Sequence, residues 1–156
     1  MVKQGAALSP PAATREQRIA KLKESLKGKP LPTLQLHVTE QDLSRVVIDP
    51  AVETELAKII LELGGQVVDP KQGGDSADVA ITGEAISQTG ARRGQLVSAR
   101  ARVELKASRA ADYKILATDR QTSVAVDISD AIAGKSALQN AAIDLAERVL
   151  PALVNP

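Results

Sequence analysis

The 156-residue sequence contains no cysteine, no phenylalanine and no tryptophan, and Tyr113 is its only aromatic residue. The absence of cysteine excludes disulfides, thiolate metal sites and cysteine nucleophiles, and it fits either a reducing or an oxidising compartment. RNA and single-stranded DNA are commonly bound on aromatic side chains on which the bases stack. We therefore expect no nucleic-acid binding. We also expect a core made of the aliphatic side chains that dominate the 44% hydrophobic fraction.

An excess of one charge is also missing, since 20 lysines and arginines stand against 19 aspartates and glutamates, for a net charge of +1. Such a balance creates no field that would collect phosphates or anionic lipids. No apolar run approaches the roughly 20 residues of a membrane-spanning helix, and the N-terminus lacks a signal-peptide pattern. The sequence as it stands predicts a soluble protein without a transmembrane segment. We expect a cytoplasmic protein, or a periplasmic or outer-membrane-associated one if a signal peptide has been removed.

Composition and periodicity divide the chain into three parts. Residues 1–13 include a proline pair without periodicity and are predicted to be a flexible tail. Residues 14–29 are predicted to form an N-terminal helix, because Thr14 and Gln17 have the spacing of a capping box. Residues 33–154 are predicted to form a single α+β domain, which suits a chain of this length.

Hydrophobic periodicity predicts the elements of this domain. Leu34, Leu36 and Val38 alternate with polar residues, which is typical of a half-buried strand. Asp49 and Pro50 form a favourable helix start, because aspartate can accept hydrogen bonds at the N-cap and proline suits the first helical position. The predicted helices and strands after Val38 are a helix at 49–63, a short strand at 66–69, strands at 79–85, 97–107 and 114–128, and a helix at 130–153.

The apolar residues of the last strand change phase along the strand. Ile115 and Ala117 are odd-numbered, whereas Val124 and Val126 are even-numbered. A β-bulge at 119–121 would turn both sets to the buried face, and we predict one there. Together the elements predict an α+β fold: a mostly antiparallel four- to five-stranded sheet with two helices packed on one face, plus a short N-terminal helix.

Four segments of the second half carry a family resemblance: ADVAITGEA at 77–85, VSARARVELKA at 97–107, ILATD at 115–119 and ALQNAA at 137–142. Through them the chain, over 34–154, resembles bacterial envelope domains. These are the curli production assembly and transport component, the flagellar assembly protein T and the penicillin-binding-protein activator lipoproteins, which share a fold like the N-terminal domain of the Tol-Pal translocation protein B. The resemblance implies a secreted or lipid-anchored protein that binds or assembles without catalytic residues. The sequence departs from the pattern in lacking a lipid-attachment cysteine and in having no glycine at Asp112 and Tyr113.

Residues that could carry chemistry are explained better as structural features. Segment 134–136 (GKS) resembles the end of a phosphate-binding loop, but the first glycine of that motif would fall at Ser129, so we predict a helix start. His37, the only histidine, lies on the predicted exposed face of a strand and is expected to be solvated. Glu53 and Glu55 are expected to be helix-cap and surface charges.

The candidate binding site is a predicted hairpin loop at 89–94, where Arg92 and Arg93 stand side by side between two glycines. Loops held by rigid strands often carry recognition, and arginine offers a planar fork of hydrogen-bond donors. We predict that Arg92 and Arg93 bind a partner. We expect no catalytic residue, no metal and no cofactor.

Two functions remain open at this point. The first is a non-catalytic, envelope-associated binding or assembly domain that acts through protein–protein contacts, with another envelope protein or a second copy of itself as partner. The alternative is a cytoplasmic domain that binds a small ligand or nucleotide, and could be enzymatic, through loops at 73–74 and 134–135.

Overall fold

The computed structural model of the chain describes residues 13–43, 45–46, 50–69 and 77–154, which build a sheet of five strands covered by helices. In chain order the elements are α1 (Arg15–Ser25), β1 (Leu34–Asp42), β2 (Arg45–Val46), α2 (Ala51–Glu62), β3 (Val79–Arg93), β4 (Leu96–Arg109), β5 (Ile115–Asp127), α3 (Asp130–Val149) and a 3₁₀ turn (Leu150–Leu153). Across the sheet the strands follow the order β2-β1-β3-β4-β5. The fold is therefore α+β.

The sheet is mixed, because β1 and β3 run parallel while the other three neighbouring pairs are antiparallel. Helix α2 lies between β1 and β3 in the chain, and a crossover of this kind is what a parallel pair requires. The prediction of a mostly antiparallel sheet overlooked this pairing. The predicted strand–helix–strand order already contained its signature.

One hydrophobic core lies between the sheet and the two long helices. The odd-numbered residues of β4 from Val97 to Ala107 are buried, which confirms the predicted alternation of this strand. Leu56 of α2 and Leu145 of α3 are at most 1% exposed and belong to the same buried cluster. Helices α2 and α3 therefore pack on the same face of the sheet.

Small side chains dominate the contact between α3 and the sheet. Aromatic residues take no part, because the only one, Tyr113, is 84% exposed in the turn after β4. The alanines of α3 and β4 that have no exposed surface are Ala99, Ala101, Ala107, Ala133, Ala137, Ala141 and Ala142. At many positions, therefore, α3 and the sheet are in contact through side chains no larger than a methyl group.

Helix α1 begins with the predicted capping box, in which the Thr14 hydroxyl accepts from the backbone N–H of Gln17 and the Gln17 side chain accepts from that of Thr14. Leu22 and Leu26 are each 4% exposed. Leu22 belongs to the main core cluster. The helix is consequently part of the domain.

Two arginines of α1 reach the other helices. Arg18 Nη2 donates to Asp144 Oδ1 at 2.7 Å and Arg18 Nε to Glu147 Oε2 at 3.0 Å, both on α3. The hydrogen bonds to Glu147 are the main reason that the pKa of Arg18 is raised. Arg15 Nε donates to Glu55 Oε1 on α2 at 3.0 Å. The expectation that Glu55 lies at the surface was wrong, because this residue is 6% exposed and paired.

Two boundaries in the first half differ from the sequence prediction. Helix α2 begins at Ala51, with Pro50 as its N-cap, and Asp49 lies outside the described residues. Segment 66–69 forms no strand; Val67 makes one isolated parallel bridge to β1. The predicted tail at 1–13 lies outside the described residues except for its last residue.

The predicted bulge at 119–121 is not present in β5. Pairing with β4 is regular from Ala117 to Asp127, and the register shift of this pair lies next to Ala107 instead. The even-numbered valines of β5 therefore stay on the face opposite to the core, and the change of hydrophobic phase has another cause.

Candidate protein-binding surface

Arg92 and Arg93 lie on strand β3 and not in a loop. Strand β3 continues to Arg93 and β4 begins at Leu96, so the prediction of a loop at 89–94 was wrong. In the register, Arg92 pairs with Val97 and Arg93 with Leu96. Since neighbouring residues of a strand point to opposite faces, the two side chains diverge, with Arg92 on the helix-covered face. Both are exposed, and their role in binding stays a prediction.

The GKS segment at 134–136 lies inside α3 and forms no phosphate-binding loop. Gly134 is buried, and a Cβ atom there would stand 2.4 Å from Asp42 Oδ1 and 3.2 Å from Ser87 Oγ. Glycine at this position allows α3 to approach the end of β1 and the middle of β3. The other glycine pair of that hypothesis, at 73–74, lies outside the described residues.

The face of the sheet opposite to the helices carries exposed apolar side chains at one end of β5. Val124 and Val126 are each 57% exposed, and Ile128, just after the strand, is 69% exposed. Leu96 is 50% exposed and shares this open face, because the next residue of β4, Val97, is buried on the helix side. We call Leu96, Val124, Val126 and Ile128 the apolar patch. Apolar clusters left in solvent commonly mark interaction surfaces.

Strand β5 is an edge of the sheet, and hydrogen bonds show which of its backbone groups face outward. The Arg120 N–H donates to Asp119 Oδ1 at 2.8 Å, and its carbonyl accepts from Arg148 Nη2 at 3.2 Å. Both bonds lie outside the ladder with β4, and alternate residues of a strand direct their backbone groups to the same side. The even-numbered residues of β5 therefore face the free edge. The Thr122 carbonyl, also on this edge, accepts from the Gln121 amide at 3.1 Å.

The next two outward-facing residues are Val124 and Val126. Among the described residues, nothing hydrogen-bonds to their N–H and C=O groups on the edge side. Side chains thus cap the middle of the edge and leave open the part that adjoins the apolar patch. Unpaired strand edges of this kind are templates for a further strand.

The opposite edge of the sheet, along β1, is covered at both ends and at Val38. The backbone of Leu34 exchanges hydrogen bonds with Gln66 and Val68 at 3.0 and 2.9 Å. The Val38 N–H donates to Glu53 Oε1 at 3.0 Å, and the end of β1 pairs with β2. The free part of β5 consequently differs from the other edge in having no such cover.

The buried carboxylate of Glu40 caps the N-terminus of α2. Its two oxygens accept from the N–H groups of Ala51 at 2.8 Å and Val52 at 2.9 Å, and it is 6% exposed. It thereby satisfies the start of α2, where Pro50 supplies no side-chain cap. Burial raises the pKa of Glu40, and the two backbone hydrogen bonds oppose that rise.

His37 is exposed on β1, as predicted. Within the described ranges, no three histidines or carboxylates come together as a metal site. None of the helices in the described part of the chain has the length and hydrophobicity needed to cross a membrane.

Sequence reasoning named Arg92 and Arg93 but missed the apolar patch. The signal was present in the change of phase at Val124 and Val126. A phase change predicts a backbone irregularity only where the apolar residues of a strand all face the core. The regular register shows that these valines are apolar and turned to solvent.

Comparison with known proteins supports the fold. No family model matches this sequence, and no curated protein matches it. Solved structures with a similar fold include protein XCC0632 from Xanthomonas campestris, described with the family model DUF330, at a TM-score of 0.56 and 14% identity over 80% of this chain and 88% of the other.

Two further structures resemble the chain to a comparable degree. A minor lipoprotein from Acinetobacter baumannii has a TM-score of 0.51 and 15% identity over 79% of this chain and 92% of its own. The protein CT253 from Chlamydia trachomatis, described as hypothetical, has a TM-score of 0.54 and 9% identity over 78% and 96%. At these identities the likeness shows a shared fold, one that also occurs in a bacterial lipoprotein.

Proposed function

We propose that the chain is a non-catalytic, envelope-associated domain that binds or assembles through protein–protein contacts. The observation that carries this proposal is the apolar patch, which lies on the sheet beside unpaired edge groups of β5. Burying its side chains would release about 25 cal/mol for each Å² of apolar surface removed from water. A protein surface can supply such cover together with backbone hydrogen bonds.

The envelope location is supported by the fold shared with the Acinetobacter baumannii minor lipoprotein and by the sequence segments at 77–85 and 97–107. The narrower resemblance to the curli component, the flagellar assembly protein T and the penicillin-binding-protein activators belongs to the same proposal. It implies a secreted or lipid-anchored protein.

The test is chemical cross-linking in an envelope extract, followed by identification of the captured proteins. Val126→Lys should lose the captured set, because a lysine in the patch would have to be desolvated on binding. Ile115→Lys is the matched control, since Ile115 is 55% exposed on the same strand at its other end. Equal capture by wild type and Val126→Lys would exclude the patch and leave Arg92→Ala/Arg93→Ala as the next variant to examine.

A nucleotide thermal-shift series tests the alternative. A ligand that binds only the folded chain raises the melting temperature, by an amount that grows with the ratio of its concentration to its Kd. We expect no shift with nucleotides. A saturable rise would favour the small-ligand function instead.

A further inference from the structure

We propose that the free part of the β5 edge pairs with the same strand of a second copy, antiparallel across a two-fold axis at Ala125. This proposal rests on the proposed function and names its partner. The product would be one continuous sheet running through both copies. A two-fold axis normal to the sheet relates antiparallel strands, so the same surface serves on both sides.

The two faces of the sheet restrict the possible registers. Directly opposite residues of an antiparallel pair point to the same face. On β5 from Ala117 to Asp127 the odd-numbered residues face the helices and the even-numbered ones the open side. A residue of one copy must therefore oppose a residue of like parity in the other, and the axis passes through a residue position.

The register centred on Ala125 satisfies the groups that lack a partner. It places Val124 opposite Val126 of the second copy, and Val126 opposite Val124. Both are outward-facing, so each N–H and C=O of these two residues meets its complement, and neither residue carries a side-chain cap that would have to be displaced. The facing valines also bury each other on the open side, which cross-strand β-branched pairs favour.

Charge and size agree with this register. On the helix side, Ser123 opposes Asp127 of the second copy, and Ala125 opposes its own equivalent, where a small residue suits the close approach of a non-hydrogen-bonded pair. The exposed Arg120 is brought toward Asp130, the first residue of α3 in the second copy.

The neighbouring registers fit less well. Centring the pair on Ser123 would put Asp127 opposite Asp119, and like charges directly opposite are unfavourable. Centring it on Val124 would put Val126 opposite Thr122, whose carbonyl already accepts from Gln121. The Ala125 register keeps Asp127 away from Asp119 and puts Val124 and Val126 opposite each other, where neither has a side-chain cap. The next outward-facing pair is Thr122 and Ile128, at the end of the strand, and both keep the side-chain hydrogen bonds they already have.

Purified chain alone provides the test, because no other protein is then present. Sedimentation equilibrium of the wild type should show a monomer–dimer equilibrium that depends on concentration. Val124→Lys and Val126→Glu should each weaken the dimer at least tenfold, whereas Ile115→Lys should not. A 1:1 mixture of Val124→Lys and Val126→Glu should regain dimer, since only this register sets the introduced lysine of one copy directly against the introduced glutamate of the other.

A cysteine scan measures the register independently in this cysteine-free chain. In a non-hydrogen-bonded pair the Cα atoms lie about 4.5 Å apart, within the range of about 4.4–6.8 Å that a disulfide spans. Ala125→Cys should form a disulfide-linked dimer under mild oxidation, while Ser123→Cys, which opposes Asp127, should not. Thermal melts of each variant confirm that it is folded.

The outcomes separate this proposal from the proposed function. A wild type that stays monomeric at all accessible concentrations, or a mixture of single variants that stays monomeric, overturns the pairing. If Val126→Lys nevertheless loses captured proteins in extract, the proposed function stands and the occupant of the patch is another protein. A dimer with the expected register but no captured protein limits the function to self-assembly.

Discussion

Replacing Glu40 separates the two roles of a buried carboxylate, which are to accept hydrogen bonds and to carry charge. In Glu40→Ala the N–H groups of Ala51 and Val52 lose their acceptor inside the protein. An unsatisfied buried donor costs about 1–3 kcal/mol, so we expect a loss of about 2–5 kcal/mol in the free energy of unfolding. That is a large part of the roughly 5–15 kcal/mol typical of a folded domain.

Glu40→Gln keeps one acceptor oxygen and removes the charge. Because burial raises the pKa of Glu40, the neutral side chain is better tolerated in the folded protein than the ionised one. One of the two N–H groups nevertheless faces the amide nitrogen and loses its acceptor, so we expect Glu40→Gln to lose about 1–3 kcal/mol at pH 7, less than Glu40→Ala. Glu84→Ala, on the open face, is the control for a lost exposed carboxylate and should change stability by less than about 0.5 kcal/mol.

The pH dependence follows from the direction of the shift. A carboxyl whose pKa is higher in the folded state takes up a proton more readily there than in the unfolded chain. The stability of wild type relative to Glu40→Gln should thus rise as pH falls through the folded-state pKa, and level off below the unfolded value of about 4.3. Urea unfolding monitored by far-ultraviolet circular dichroism at pH 4 to 8 measures this. The reasoning would be refuted if Glu40→Gln and Glu40→Ala lost equal stability at pH 7. It would also be refuted if the stability of wild type relative to Glu40→Gln fell as the pH is lowered.

Three further predictions concern the core and α1. Leu56→Ala and Leu145→Ala should each cost about 2–5 kcal/mol in urea unfolding, because both side chains are at most 1% exposed; a loss below about 1 kcal/mol would contradict their central position. Gly83→Ala should prevent the native pairing of β3 with β4, since its Cβ would stand 2.1 Å from a backbone oxygen; unchanged amide-exchange protection in these strands would show otherwise. Arg18→Ala should raise hydrogen exchange in Arg15–Ser25 with a global loss of only about 1 kcal/mol, and high salt should have a similar effect on the wild type.

The sequence predicted the long elements because their periodicity depends on which side of each element is buried. The alternation of Val97 to Ala107 was decided by the helices on one face, and it is present in the structure residue by residue. The capping box at Thr14 is a local interaction among adjacent residues, and it too was predictable. Features set within one element were therefore visible in the sequence.

Features that depend on contacts between two distant elements could not be predicted from the sequence. The cap on α2 comes from Glu40, 11 residues before Ala51, and nothing in the local sequence distinguishes this glutamate from a surface one. The pairing of Arg15 with Glu55 likewise joins residues 40 positions apart. The apolar patch was missed for a different reason, since its valines follow the strand period but face away from the core.

The alanine-rich contact between α3 and β4 makes tolerance to substitution asymmetric. A core of large side chains suffers most when atoms are removed, because a cavity remains. Here many positions have no atoms to lose beyond a single methyl group, while any added carbon must displace a neighbouring backbone or side chain. At Ala101 or Ala141 we therefore expect glycine and serine to be the best-tolerated replacements, and each larger residue to cost about 1–3 kcal/mol in the free energy of unfolding. At these positions the fold limits side-chain volume more tightly than hydrophobicity.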